Sequence, residues 1–133
     1  MPPSLTLDVL PERFAVVRLA ADAAVPEWAR GAGALVSVTR TAGELSIVCP
    51  EAAVPSDLPA QRGFRGLRVR GPLDFSAVGV LASLAGPLAA AGVSLFALST
   101  YDTDYLLVRA ADLERAVAAL AGAGHALAPA AEL

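Results

Sequence analysis

The chain has 133 residues, room for one domain or two very small ones, and carries 13 acidic against 10 basic side chains for a net charge of −3. Every basic residue is Arg, and a mildly acidic, Lys-free chain makes a poor general nucleic-acid binder, because that affinity rests on neutralising phosphates with clustered cations. A composition that is 56% hydrophobic and 17% charged forms a core and excludes disorder over most of the length.

Residues 5–70 read as strand-rich. Leu5 to Leu10 alternates, Pro11-Glu12-Arg13 breaks the pattern, and Phe14 to Leu19 resumes it. A loop with one helical turn at Pro26 to Arg30 leads to a strand over Ala34 to Thr39. Thr41 to Glu44 predicts a hairpin turn with Gly43 at positive φ, and Leu45 to Cys49 runs back antiparallel. Pro50 to Arg65 reads as a short helical turn and a loop. Trp28 and Phe14 are expected in the packing, and Cys49 as a small buried hydrophobe.

From residue 66 the pattern is cleaner. Leu67 to Arg70 alternates as a strand, with two guanidinium groups on one face. Gly71 to Phe75 turns into a helix over Ser76 to Ala91, with Val78, Leu81, Leu84 and Leu88 as its buried stripe. Pro87 removes one of its hydrogen bonds near Ser83, and Gly92 suits the C′ position. Strands over Val93 to Leu98 and Tyr105 to Arg109 follow. Asp112 caps a helix presenting Leu113, Ala116, Val117 and Leu120, which ends at Gly122 or Gly124. A last short strand is expected at His125 to Leu127, with a frayed tail after it. The order is βαββαβ, the ferredoxin-like split unit. Strand Val93 to Leu98 is apolar on both faces, so its second face needs cover from the N-terminal half or from another copy of the chain.

Glycines and a proline break the apolar run Val78 to Leu98 at Gly86-Pro87 and Gly92, so it reads as helix and strand rather than a membrane span. Met1 to Ser4 has neither the basic nor the apolar region of a secretory signal. The expectation is a cytoplasmic protein with no membrane or nucleic-acid partner. One Cys and one His rule out a disulfide framework within the chain and a multi-Cys zinc site, and no metal or cofactor is expected.

Three stretches resemble the ACT family. Gly71-Pro72-Leu73-Asp74-Phe75-Ser76-Ala77-Val78-Gly79-Val80-Leu81, with Ala90-Ala91-Gly92-Val93-Ser94-Leu95-Phe96, is similar to the first β–α–β of ACT domains, although the turn from Asp74 to Gly79 is longer than the common one. Ser99-Thr100-Tyr101-Asp102-Thr103-Asp104-Tyr105-Leu106-Leu107-Val108-Arg109 resembles the corresponding run of the CASTOR-type branch, whose animal members are cytosolic arginine sensors. Ser37 to Thr41 followed by Glu44 to Glu51 is similar to the helix-poor first module of that branch. The resemblance implies an α+β fold of two tandem ferredoxin-like ACT modules, over residues 1–63 and 64–133, the first poor in helix. It also implies a regulatory or sensor protein that binds a free amino acid at a junction between modules or subunits.

Physical chemistry makes such a site intelligible. Amides of Val78, Gly79 and Val80, at the expected helix start, suit a carboxylate, and Gly79 permits close approach. Asp74, with Ser99 and Thr100, suits the ammonium, and Asp102, Thr103 and Asp104 in the following connection can do likewise. The bland readings are specific too. Asp74 or Ser76 can simply cap a helix, and Asp102-Thr103-Asp104 is a turn sequence. Arg62, Arg65, Arg68 and Arg70 read as a solvated or subunit-facing edge. No nucleophile–base pair, metal-ligand spacing or phosphate loop is present in the sequence, so an enzyme is not expected. The alternative to a sensor is a ligand-free dimerisation or protein-interaction module. A homodimer is expected in either case.

Overall fold

The computed structural model describes residues 4–31 and 33–129. Its strands are β1 (Thr6–Leu19), β2 (Ser37–Arg40), β3 (Leu45–Pro50), β4 (Gln61–Val69), β5 (Leu95–Ser99), β6 (Asp104–Arg109) and β7 (Ala126–Pro129), and its helices are α1 (Val80–Ala90) and α2 (Leu113–Gly122). Contacts divide the chain into two units, residues 12–64 and residues up to 11 together with those from 65 onward. The expected boundary between residues 63 and 64 therefore falls inside β4. The class is the expected one, α+β with ferredoxin-like strand and helix order and little helix.

In the unit of residues 12–64, the order is strand, 3-10 turn (Glu27–Arg30), strand, strand, 3-10 turn (Glu51–Ala53), strand. This is the ferredoxin-like order with each helix reduced to a single turn, and its strands lie β2-β3-β1-β4. Leu45, Ile47 and Cys49 of β3 alternate inward with Ala15 and Val17 of β1 to form the core, against which Trp28 packs. Burying each large apolar side chain here stabilises the unit by about 1.5–3 kcal/mol. Phe14 is also fully buried. Cys49 is fully buried, and burial pushes its thiol above the ordinary value.

Several expectations change in this half. The two N-terminal strands form one, β1. Phe14–Leu19 pairs with β3 and Thr6–Val9 with β7, so Pro11 falls between these stretches, where its missing N–H breaks no bond to either partner. Residues Gln61 to Arg65, expected as loop, belong to β4, and Gly63 keeps φ +79 within the strand. The hairpin turn does not place Gly43 at positive φ. The Thr41 hydroxyl instead accepts the N–H groups of Gly43 and Glu44, both at 3.1 Å.

The other unit is a βαββαβ run from β4 to β7 with the first half of β1 joining it. Its strand order is β7-β1-β4-β6-β5, β7 lying parallel to β1 and β5 antiparallel to β6. Leu67 and Val69 of β4 and Leu106 and Val108 of β6 meet Leu84 and Leu88 of α1 and Ala116 and Leu120 of α2 in one core. The buried stripe of α1 is Val80, Leu84 and Leu88, while Val78 and Leu81, expected in it, are exposed. Both helices end in Schellman motifs. Val93 N–H reaches Leu88 O at 2.9 Å with Gly92 at φ +73, and His125 N–H reaches Leu120 O at 3.1 Å with Gly124 at φ +97. Gly124 therefore ends the second helix.

Pro87 leaves the carbonyl of Ser83 without its helical donor. His125 supplies one: its Nε2 donates to Ser83 O at 3.0 Å while its Nδ1 accepts the Leu5 N–H at 3.1 Å. That pattern fixes the neutral tautomer with the proton on Nε2. The ring is 6% exposed and ties the chain's start to α1. The last strand opens at Ala126, one residue after the expected start, and the tail beyond Pro129 lies outside the described residues.

Candidate functional site

The helix expected from Ser76 begins at Val80, because residues 74–79 are held as a turn. The Asp74 carboxylate accepts the Ser76 backbone N–H at 3.0 Å and its hydroxyl at 2.8 Å, and Ala77 N–H returns to Asp74 O at 2.9 Å. Gly79 follows with φ +81 and ψ 5 as the N-cap, a left-handed conformation that glycine adopts without strain. Its carbonyl accepts the first helical bond, from Ser83 N–H at 3.0 Å. The helix-start donors are thus the amides of Val80, Leu81 and Ala82 rather than those of Val78 and Gly79.

The second wall is the connection from β5 to β6. Ser99 and Asp104 face each other across the antiparallel pair, and the Ser99 hydroxyl donates to Asp104 Oδ1 at 2.5 Å. Thr100 N–H bonds Thr103 O at 2.8 Å, closing the turn. Thr103 is 8% exposed because its hydroxyl donates to Val69 O at 2.6 Å, which anchors the turn to the end of β4. Leu73 N–H bonds Asp102 O at 2.8 Å and so joins the two walls.

Between the walls lies a cleft of ≈ 540 Å³, lined by Leu73, Asp74, Phe75, Ala77, Val80, Ser99, Thr100, Tyr101, Asp102, Thr103 and Asp104. Seven of the nine residues singled out from sequence line it; Val78, 91% exposed, and Gly79 do not. Sequence reasoning missed Leu73, Phe75, Ala77 and Tyr101. The signal available was two aromatic residues, each beside a selected Asp in a turn; their rings meet with centroids 5.6 Å apart.

Three carboxylates and no basic side chain line the cleft. The Ser76 amide, and then the Ser76 hydroxyl, hold the Asp74 carboxyl below its ordinary value, so it carries its charge through the neutral range. The cleft thus combines a negative wall suited to a cation with a helix start, at Val80, suited to an anion. Among the described residues, no group of three or more His, Cys, Asp or Glu is arranged to hold a metal ion. No described helix is long and apolar enough to cross a membrane.

A family model for the ACT domain matches residues 60–122, and a model for an N-terminal domain matches residues 12–57. The crystal structure of protein Atu0741 from Agobacterium tumefaciens is similar at 40% identity and a TM-score of 0.90, over 98% of this chain and 96% of that one. VC0802 from Vibrio cholerae, described as a possible transport protein of unknown function, aligns at 19% identity and a TM-score of 0.74 over 91% of each chain. The allosteric aspartate kinase of Clostridium acetobutylicum shares the fold at 12% identity and a TM-score of 0.62, over 84% of this chain and 33% of that one. Among curated proteins, none matches the chain. The chain belongs to the same family as Atu0741, and its residues 60–122 are an ACT domain.

Proposed function

We propose that the chain is a regulatory sensor of the CASTOR-type tandem ACT branch, which holds a free amino acid in the cleft between the 73–80 turn and the 99–104 connection. The observation that carries this reading is the meeting of Asp74, Asp102 and Asp104 with the start of α1 around one cleft. A zwitterion needs both ends served. Its ammonium goes to the carboxylates and the Ser99–Thr100 oxygens, and its carboxylate to the amides at Val80 and beyond. The reading assigns no catalysis and calls for no cofactor. It takes the protein to be cytoplasmic, with modules near 1–63 and 64–133 and a regulated partner responding to occupancy.

A thermal-shift screen against the twenty amino acids tests it. Ligand at about a hundred times its dissociation constant adds about 2.7 kcal/mol of stability. Asp74→Asn is expected to weaken binding by about tenfold or more, as loss of a charged hydrogen bond does. Binding unchanged in Asp74→Asn places the ligand elsewhere, and no shift with any amino acid removes the reading.

A second reading, an interaction module without ligand, is favoured by the apolar rim. Phe75, Val78 and Tyr101 are 81%, 91% and 84% exposed. The edge strand β5 adds Phe96 at 37%. Either reading predicts a homodimer burying more than about 1,000 Å². Light scattering that finds a monomer at high micromolar concentration refutes it.

A further inference from the structure

The alternation Leu67-Arg68-Val69-Arg70 sends Leu67 and Val69 into the helix-covered core and both arginines to the opposite face of β4. On that face Asp8 of β1 is 1% exposed, and each of its oxygens takes one guanidinium: Oδ2 accepts from Arg68 at 2.7 Å and Oδ1 from Arg70 at 2.5 Å. Asp8 alone faces two cations, and Asp102, on the wall of the cleft in front of them, brings the local charge into balance. A guanidinium has five N–H donors, and Asp8 engages one nitrogen of each. The Arg70 side chain is 50% exposed and the Arg68 side chain 22%, so the pair is held from behind and open in front.

In front of it lies a second cleft, of ≈ 320 Å³, where Arg68 and Arg70 meet Thr100, Thr103, Tyr105 and Asp102. This volume sits at the small end of ligand sites. The Thr103 hydroxyl is committed to Val69 O and the Thr100 hydroxyl to Thr103 O, which leaves the Tyr105 hydroxyl and the Asp102 carboxylate as further polar groups of the wall. Asp102 sets the selectivity. It repels a second negative charge and rewards a hydrogen-bond donor on the ligand.

We propose that this cleft is a second binding site, which takes a small monocarboxylate bearing a hydroxyl group. Its carboxylate lies against Arg68 and Arg70, where planar fork geometry suits it, and its donor faces Asp102. The site is separate from the acidic cleft, whose reading it does not need, although both use the Thr100–Thr103 turn as a wall. Asp8 is a positioning residue that orients the two guanidiniums.

The test is a titration of the full chain followed by ¹H–¹⁵N NMR, with lactate, propionate and inorganic phosphate added separately at constant ionic strength. Lactate is expected to shift the Arg68 and Arg70 side-chain Nε–H signals and the Thr100 and Tyr105 amides saturably, with propionate and phosphate weaker. Arg70→Gln is expected to lower lactate affinity about tenfold or more, and Tyr105→Phe to lower it while leaving the arginine signals in place. Asp74→Asn is expected to leave it unchanged, which separates failure here from failure of the amino-acid reading. No saturable lactate shift at these residues overturns the proposal, as does an Arg70→Gln variant that binds like the parent. Phosphate binding as tightly as lactate overturns the assignment to a monocarboxylate.

Discussion

Replacing Asp8 by Asn keeps the shape of the side chain and removes the charge shared by two guanidiniums. Arg70 makes the shorter bond and contributes most to holding the Asp8 carboxyl below its ordinary 3.8, against burial, which raises it; the Arg68 bond adds to the lowering. The folding free energy is weighted differently. Half of the Arg70 side chain is exposed, so without its partner it rehydrates, and that pair is worth about 0.2–1 kcal/mol. Arg68 is 22% exposed, and losing its charged bond costs about 1.5–3 kcal/mol. The variant is expected to lose about 2–4 kcal/mol near neutral pH. Urea unfolding followed by far-UV circular dichroism is the right assay, because α1 and α2 lie in the same unit as Asp8. The folded pKa lies below the unfolded one, so this stabilisation is present above about pH 4 and is lost as pH falls through the folded value. Parent and variant should therefore converge in acid. In double-mutant cycles, coupling to Arg68→Met should exceed coupling to Arg70→Met. A gap under about 0.5 kcal/mol at neutral pH, or one that persists in strong acid, refutes the reasoning.

Other substitutions test other joints. His125→Ala strips partners from Ser83 O and Leu5 N and is expected to cost about 2–4 kcal/mol, read by thermal unfolding; a change under 1 kcal/mol denies the ring its bridging role. Gly79→Ala forces an L-residue into φ +81 and is expected to cost about 1–2 kcal/mol in chemical denaturation, with Gly79→Asn milder. Because nothing lies within 4 Å of the added Cβ, the alanine should act through backbone strain and not by a clash. Cys49, fully buried with its thiol raised by burial, is expected to react with a thiol reagent only as fast as the protein opens; fast reaction under native conditions contradicts its placement.

The C-terminal half was readable because its signals are local. Helix spacing around Leu84 and Leu88, the glycines at 92 and 124, and the alternation at Leu67 to Arg70 each act within a few residues. Errors arose where one local signal masked another. Residues 61–65 read as loop although they occupy a strand, and Pro11 reads as a strand break although β1 changes partners around it. Ser76 looked like a helix start, but the Asx turn on Asp74 and the left-handed Gly79 delay the helix to Val80, which turns Val78 and Leu81 outward. The acidic cleft was largely legible because its two walls are short turns whose residue types already advertise polar work.

What sequence could not show is pairing across distance. Arg62, Arg65, Arg68 and Arg70 read as a solvated or subunit-facing edge, and each has a partner within the chain. Arg62 donates to Pro55 O and Leu58 O at 2.8 Å, Arg65 to Leu10 O at 3.0 Å, and the other two to Asp8. Asp8 lies about sixty residues away from its arginines, in a strand whose alternation only says that it points away from Leu7. Which strand lies beside it, and in what register, is a tertiary outcome, and a slip of one residue would send the same carboxylate to the other face. The same dependence explains His125. Pro87 announces an unpaired carbonyl at Ser83, but only the packing of the second helix's end against the first shows which donor reaches it. Local chemistry thus predicts the need for a partner, and topology selects the residue that meets it.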